Sequence, residues 1–113
     1  MKIWVDDVRP APEGYVWCKS VNKAKSEIVK FENENNFFAS DDFLFKMEPL
    51  PLELIDIDHD AGDYASQGGD YIKLLDWLEA TGRNYPIRIH SANPVGVANM
   101  RRIIERNGWE EIK

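Results

Sequence analysis

Three short apolar runs in this chain each end in chemistry. Lys2-Ile3-Trp4-Val5 leads into Asp6-Asp7, Leu54-Ile55-Asp56-Ile57 into Asp58-His59-Asp60, and Pro86-Ile87-Arg88-Ile89 into His90-Ser91-Ala92-Asn93. Runs of this length, rich in Ile, Val, Leu and Trp, read as strands. In an open parallel sheet the carboxyl ends of the strands face one crevice, and ligands bind there. A fold that pairs these runs therefore delivers carboxylates, imidazoles and a hydroxyl to one place.

The rest of the chain supplies what such pairing needs. A further strand is predicted at 15–18, and the runs at 53–57 and 86–90 are apolar enough for burial on both faces. Residues 8–14, with Pro10, Pro12 and Gly14, form a loop. Ser20 caps a predicted helix whose Val21, Ala24, Ile28 and Phe31 share one face. Asp70 is expected to cap a second, with Ile72, Leu75 and Leu78 on one side and Gly82 as its stop. The third has Asn93 as cap and Pro94 at its first position, turns Val97, Met100, Ile103 and Ile104 inward, and ends at Asn107-Gly108. Strands alternating with helices imply parallel pairing through right-handed crossovers, an α/β architecture.

Residues 34–52 fit this alternation least. They open polar with Glu34-Asn35-Asn36, then place Phe37, Phe38, Phe43, Leu44 and Phe45 ahead of Pro49 and Pro51. The segment is expected to cover a sheet edge, the sharper alternative being an aromatic surface over 37–45 for a protein partner.

At 113 residues the chain fits a single domain, 1–113. A net charge of −6 offers no basic stripe to displace phosphate counterions, which excludes extended nucleic-acid binding but leaves a small nucleotide or an RNA end open. Cys18 is the only cysteine, so no internal disulfide forms, and it reads as a small buried residue in a reducing compartment. No stretch approaches membrane-spanning length, so a cytoplasmic protein without membrane association is expected.

Asp6, Asp7, Asp58 and Asp60 meet if their strands are neighbours. Like charges about 4 Å apart repel by roughly 4 kcal/mol near a protein surface, so the group needs a cation or must hold protons. Mg²⁺ suits few carboxylates together with waters and phosphate oxygens, and His59 and His90 would also suit Mn²⁺. Asp56 differs, because strand alternation points it away from Ile55 and Ile57, as a paired structural acid. The side chains of His90 and Ser91, Asn93 with the free backbone N–H groups after it, and the helix dipole form a candidate phosphate cradle, with cap and turn duties as the simpler role of Ser91 and Asn93. Arg9 can reach a phosphate bidentately or sit on the surface. His59, between two acids, is placed for acid–base work. The glycines of the 60–70 loop allow it to close over a ligand.

This set of motifs resembles response-regulator receiver domains, with an acidic pair after the first strand, Asp58 at the phospho-acceptor position after the third, and Ser91-Ala92 where those domains carry a hydroxyl residue. The resemblance is stronger to the small receiver-like family named for cyclic-phosphate processing, through Trp4-Val5-Asp6-Asp7-Val8-Arg9-Pro10-Ala11-Pro12, Asp58-His59-Asp60 and His90-Ser91-Ala92-Asn93-Pro94-Val95-Gly96. It spans nearly the whole chain apart from 34–52. It implies a flavodoxin-like, mainly parallel open sheet flanked by helices, with the loop 8–14 in place of the first helix. It also implies a divalent metal held by Asp6, Asp7 and Asp58, with His59, Asp60, His90 and Ser91 around it, and a cyclic-phosphate or other phosphoester substrate, including an RNA end.

Two departures from ordinary receivers weigh against signalling through a stable aspartyl-phosphate: His59-Asp60 replaces the usual Met-Pro-type turn, and no lysine is assigned at the end of a fifth strand. The leading expectation is a metal-dependent phosphoesterase in which His59 or His90 shuttles a proton while Ser91 and Asn93 hold phosphate oxygens. A phospho-accepting receiver, with Asp58 attacking a phosphodonor, and a silent interaction module acting through 37–45 are the alternatives.

Overall fold

The structure, a computed structural model, describes residues 1–36 and 52–113. The strands are β1 (Lys2–Val5), β2 (Tyr15–Cys18), β3 (Leu54–Ile57), β4 (Ile87–Ile89) and β5 (Glu111–Ile112), and the helices are α1 (Val21–Asn36), α2 (Ile72–Ala80) and α3 (Pro94–Asn107). All the strands pair in parallel, in the order β2-β1-β3-β4-β5. The expected α/β open sheet is therefore present, and the loop after β1 replaces a first helix as expected.

Register explains where the core sits. Ile3, Ile55 and Ile87 stand side by side in neighbouring strands. All three are fully buried in one cluster with Val21, Ala24 and Ile28 of α1, Leu74, Leu75 and Leu78 of α2, and Met100, Ile103 and Ile104 of α3. The crossovers from β2 to β3, β3 to β4 and β4 to β5 all step in one direction across the sheet, so right-handed connection sends all three helices to the same face. Only the β1 to β2 step runs the other way, and it carries no helix. The opposite face accordingly presents Lys2, Trp4, Tyr15, Trp17, Asp56 and Arg88, with Trp4 level with Trp17 on one side and Asp56 on the other.

Several local expectations need correction. The Asp70 side chain does not cap α2, because its Oδ1 accepts the Ala61 N–H at 3.1 Å and braces the preceding loop. The first position before α2 is Tyr71, which offers no side-chain cap. Gly96, not Val97, takes the buried place in the first turn of α3. β4 is buried on one face only, with Arg88 exposed. Residues 62–66 form a short 3-10 turn, and β5 extends the sheet where no strand was expected. α1 runs on through Asn36, absorbing the polar start of the 34–52 segment. The aromatic part, including the 37–45 surface proposed for a partner, lies outside the described residues.

Ion pairs tie the layers together. Arg83 grips Glu32 with Nε and Nη2, joining the end of α2 to α1. Arg106 does the same to Glu79 between α3 and α2, and Arg101 pairs with Glu111 to hold β5. None of the helices among the described residues is long and apolar enough to cross a membrane.

Candidate metal and phosphate site

The sheet's ladder continues one residue past its strands. Asp6 N donates to Cys18 O at 3.2 Å, Asp58 N to Val5 O at 2.9 Å and His90 N to Ile57 O at 3.0 Å. These bonds hold the residues that end β1, β3 and β4 in register, so chemistry distant in sequence becomes adjacent. One carboxylate oxygen each from Asp6, Asp7 and Asp58 lies within 4.8 Å of the others. At that separation each ionised pair repels by roughly 3–4 kcal/mol at a surface-like effective dielectric. The donor set is hard oxygen throughout, which fits Mg²⁺ or Mn²⁺ better than a soft metal.

Each acid of the trio is held differently. Asp6 is 1% exposed, and its Oδ1 accepts the backbone N–H groups of Val8 at 2.9 Å and Arg9 at 3.0 Å. Burial works to raise its pKa, but those two N–H groups and His90 outweigh it and hold the carboxyl below the ordinary aspartate range. Asp58 Oδ1 accepts the His59 N–H at 2.8 Å. Asp7 makes no hydrogen bond or ion pair among the described residues, and its Oδ2 lies against Gly62. A Cβ added there would come within 2.4 Å of that oxygen, and the positive φ of 55° independently favours glycine.

His90 is engaged on both sides of its ring. Nδ1 lies 2.6 Å from Asp56 Oδ1 and Nε2 lies 2.9 Å from Asp6 Oδ2. A carboxylate only accepts, so satisfying both contacts requires a proton on each nitrogen, the imidazolium. Burial opposes the charge, yet the hydrogen bonds to Asp56 and Asp6 prevail and raise the pKa above its usual value. The Trp4 indole stacks on the ring, centroids 3.9 Å apart and planes 7° from parallel, adding a cation–π contact. Asp56 is thus the paired structural acid that strand alternation implied. Sequence reasoning missed Trp4, which the β1–β3 register sets beside Asp56.

His59 follows Asp58 directly in the chain, and its ring turns toward α3. Its Nδ1 meets Asp60 Oδ1 at 2.9 Å, and its ring packs so closely on α3 that a Cβ at Gly96 would lie 2.4 Å from its Cγ. Asp60 was expected among the metal ligands, and the structure places it elsewhere. Its side chain is 61% exposed and is drawn away by His59 and by Asn93 Nδ2 at 3.4 Å. Asn93 caps α3, its Oδ1 accepting Gly96 N–H at 3.0 Å, while Ser91 Oγ accepts Asn93 N–H at 3.1 Å. Arg9 reaches across the crevice and donates from Nη1 to His90 O at 2.8 Å, beside Ser91. The site also has a phenol that the sequence did not single out. Tyr71 Oη donates to Lys19 O at 2.7 Å, and burial together with Asp7, Asp6 and Asp58 pushes its pKa well above the normal tyrosine range. Cys18 is inert by contrast, its thiol pushed up to about 12 by burial.

The family model of the cyclic-phosphate processing receiver domain matches residues 1–106. No curated protein and no solved structure matches the chain. The matched span takes in Asp6, Asp7, Asp56, Asp58 and Asp60, both histidines and Ser91, so the chain belongs to the cyclic-phosphate processing receiver domain family.

Proposed function

We propose that this protein is a divalent-metal-dependent phosphoesterase acting on a cyclic phosphate of a nucleotide or RNA end. The observation that carries the reading is the convergence of Asp6, Asp7 and Asp58 within 4.8 Å, with His59, next to Asp58 in the chain, not locked between two acids. Asp6, Asp7 and Asp58 would hold the metal, which when bound supplies a Lewis acid for a phosphoryl oxygen and a water of lowered pKa.

The chain's own groups divide the remaining work. Asp60 accepts from His59 Nδ1–H, which leaves Nε2 as the basic nitrogen able to take a proton from water or return one to the departing oxygen. His90 is unsuited to that shuttle, because moving either proton breaks a buried ion pair. Its part is to hold Asp6 in place. Arg9 and Ser91, at the end of β4, bind non-reacting phosphate oxygens.

Hydrolysis of nucleoside 2′,3′-cyclic phosphates with Mg²⁺ or Mn²⁺ tests the reading. Asp58→Asn is expected to abolish turnover, and His59→Gln to lower it by roughly 10²–10⁴-fold, the usual scale of acid–base assistance. Equal turnover in wild type and Asp58→Asn, or none with either metal, overturns it. A lasting mass increase with acetyl phosphate that Asp58→Asn removes would favour the phospho-accepting receiver.

A further inference from the structure

Next to the acidic trio, on the β2 side, lies a cleft of about 320 Å³ lined by Trp17, Lys19, Ser20, Lys23, Tyr64 and Gln67. The proposed hydrolysis makes no use of it. We propose that this cleft seats the nucleobase of the substrate, so that the protein acts on nucleoside phosphates and not on cyclic phosphates lacking an aromatic base. The inference rests on the phosphate being held at Asp6, Asp7 and Asp58.

Placement is the first argument. Trp17 Nε1 donates to Asp6 O at 2.7 Å, so the indole is fastened to the backbone of a trio residue. The turn that carries Tyr64 begins at Gly62, which lies against Asp7. Lys19 O accepts from Tyr71, whose phenol feels all three acids. The cleft and the trio are therefore neighbouring parts of one crevice. β2 stands two strands from β3, about 10 Å at the usual strand spacing, which suits the span from a base to the phosphate on its own ribose.

Chemistry is the second. An indole and a phenol ring in the lining of a cleft of this size offer stacking surfaces to a flat heterocycle, and stacking tolerates any base because every base has a π-face. The volume is at the lower end of ligand sites, suited to one base and not to an oligonucleotide. Lys19 Nζ sits 4.5 Å from the Trp17 ring centroid and has no carboxylate partner among the described residues. It is thus a cation in the lining of the cleft, available to a phosphate-bearing ligand. Lys23 is already paired with Glu27. Gln67 supplies an amide for a base edge.

The test is a titration of the full chain, with Mg²⁺ present, by adenosine 2′,3′-cyclic phosphate and separately by inorganic phosphate, followed by ¹H–¹⁵N NMR. The chain has four tryptophans, and the Trp17 indole signal is the one lost in Trp17→Phe. The nucleotide is expected to move the Trp17 indole and the Tyr64 amide, whereas inorganic phosphate moves neither. Tyr64→Ala should weaken nucleotide binding roughly tenfold, and Tyr64→Leu, which keeps an apolar side chain against the core, should do the same. An unmoved Trp17 indole, or unchanged nucleotide affinity in a folded Tyr64→Leu, overturns the proposal. Nucleotide seated in the cleft without turnover would sink the phosphoesterase and leave the subsite standing. Turnover with an unchanged KM in Tyr64→Leu would do the reverse.

Discussion

At the scale of single residues, the most consequential group is His90, a cation buried between two acids. Removing the charge from such a pair leaves carboxylates without compensation, which typically costs about 3–5 kcal/mol. His90→Gln is therefore expected to lower unfolding stability by about that amount in chelator near neutral pH, measured by denaturant titration. The pH dependence has a definite sign. The folded pKa is raised above 6.5, so the stabilisation is complete below the unfolded pKa and is lost as pH rises through the folded one. Wild type should lose stability as pH rises above about 6.5 and through the raised folded pKa, while His90→Gln follows a flatter course; parallel curves would contradict the imidazolium assignment. Asp6 carries the opposite linkage, its lowered pKa adding stability that disappears only in acid. The sequence exposed the acidity of this region but left both histidines as candidate shuttles. Telling them apart needed the β3–β4 pairing that brings Asp56 beside His90, and alternation within a single strand does not contain that pairing.

At the scale of elements, α3 shows how far local signals reach. Its Asn93 cap, Pro94 and αL Gly108 at φ 68° are found where the cap and stop rules put them, since each is a short-range hydrogen-bonding or steric requirement. Asp70 obeyed the same rule on paper, yet a tertiary acceptor role toward Ala61 took its side chain. β5 was illegible for another reason: two residues carry no periodicity, and Glu111 enters the sheet because β4 and Arg101 receive it. Gly96 is the instructive case, reading as a poor helix residue that costs about 1 kcal/mol relative to alanine. Gly96→Ala should recover that propensity, but the new methyl meets the His59 ring at 2.4–2.8 Å. Overpacking of this kind costs about 1–3 kcal/mol, so the net effect is expected to be destabilising or near zero. Thermal unfolding decides the stability, and displacement of His59 would show as a fall in cyclic-phosphate turnover. A Gly96→Ala protein about 1 kcal/mol more stable than wild type, with turnover unchanged, would mean that the His59 packing constrains nothing.

At the scale of the whole molecule, the fold gathers like charges where a chain of net charge −6 can least use them. Sequence reading anticipated this gathering on the condition that the first and third apolar runs are neighbours, which the order β2-β1-β3-β4-β5 meets. It did not anticipate that His90 would offset part of the charge and leave Asp7 without a partner among the described residues. The contrast sets up a crossing prediction. Without metal, Asp7 repels Asp6 and Asp58 by roughly 3–4 kcal/mol per ionised pair for oxygens 4.8 Å apart, the outer limit of their spacing, an amount that solvent reduces. Asp7→Asn should therefore be more stable than wild type in chelator, by about 1 kcal/mol after that screening. With a divalent ion the order should reverse. A ligand at 100 times its Kd stabilises the folded state by about 2.7 kcal/mol, and a domain of this size gains roughly 4–8 °C in Tm per kcal/mol. Wild type should gain about 10 °C or more in saturating Mg²⁺ or Mn²⁺, and Asp7→Asn little. Calorimetry of both proteins with and without metal reads the crossing directly. Curves that never cross, with wild type ahead in chelator as well, would mean that the three carboxylates are neutralised within the protein and hold no place for a cation.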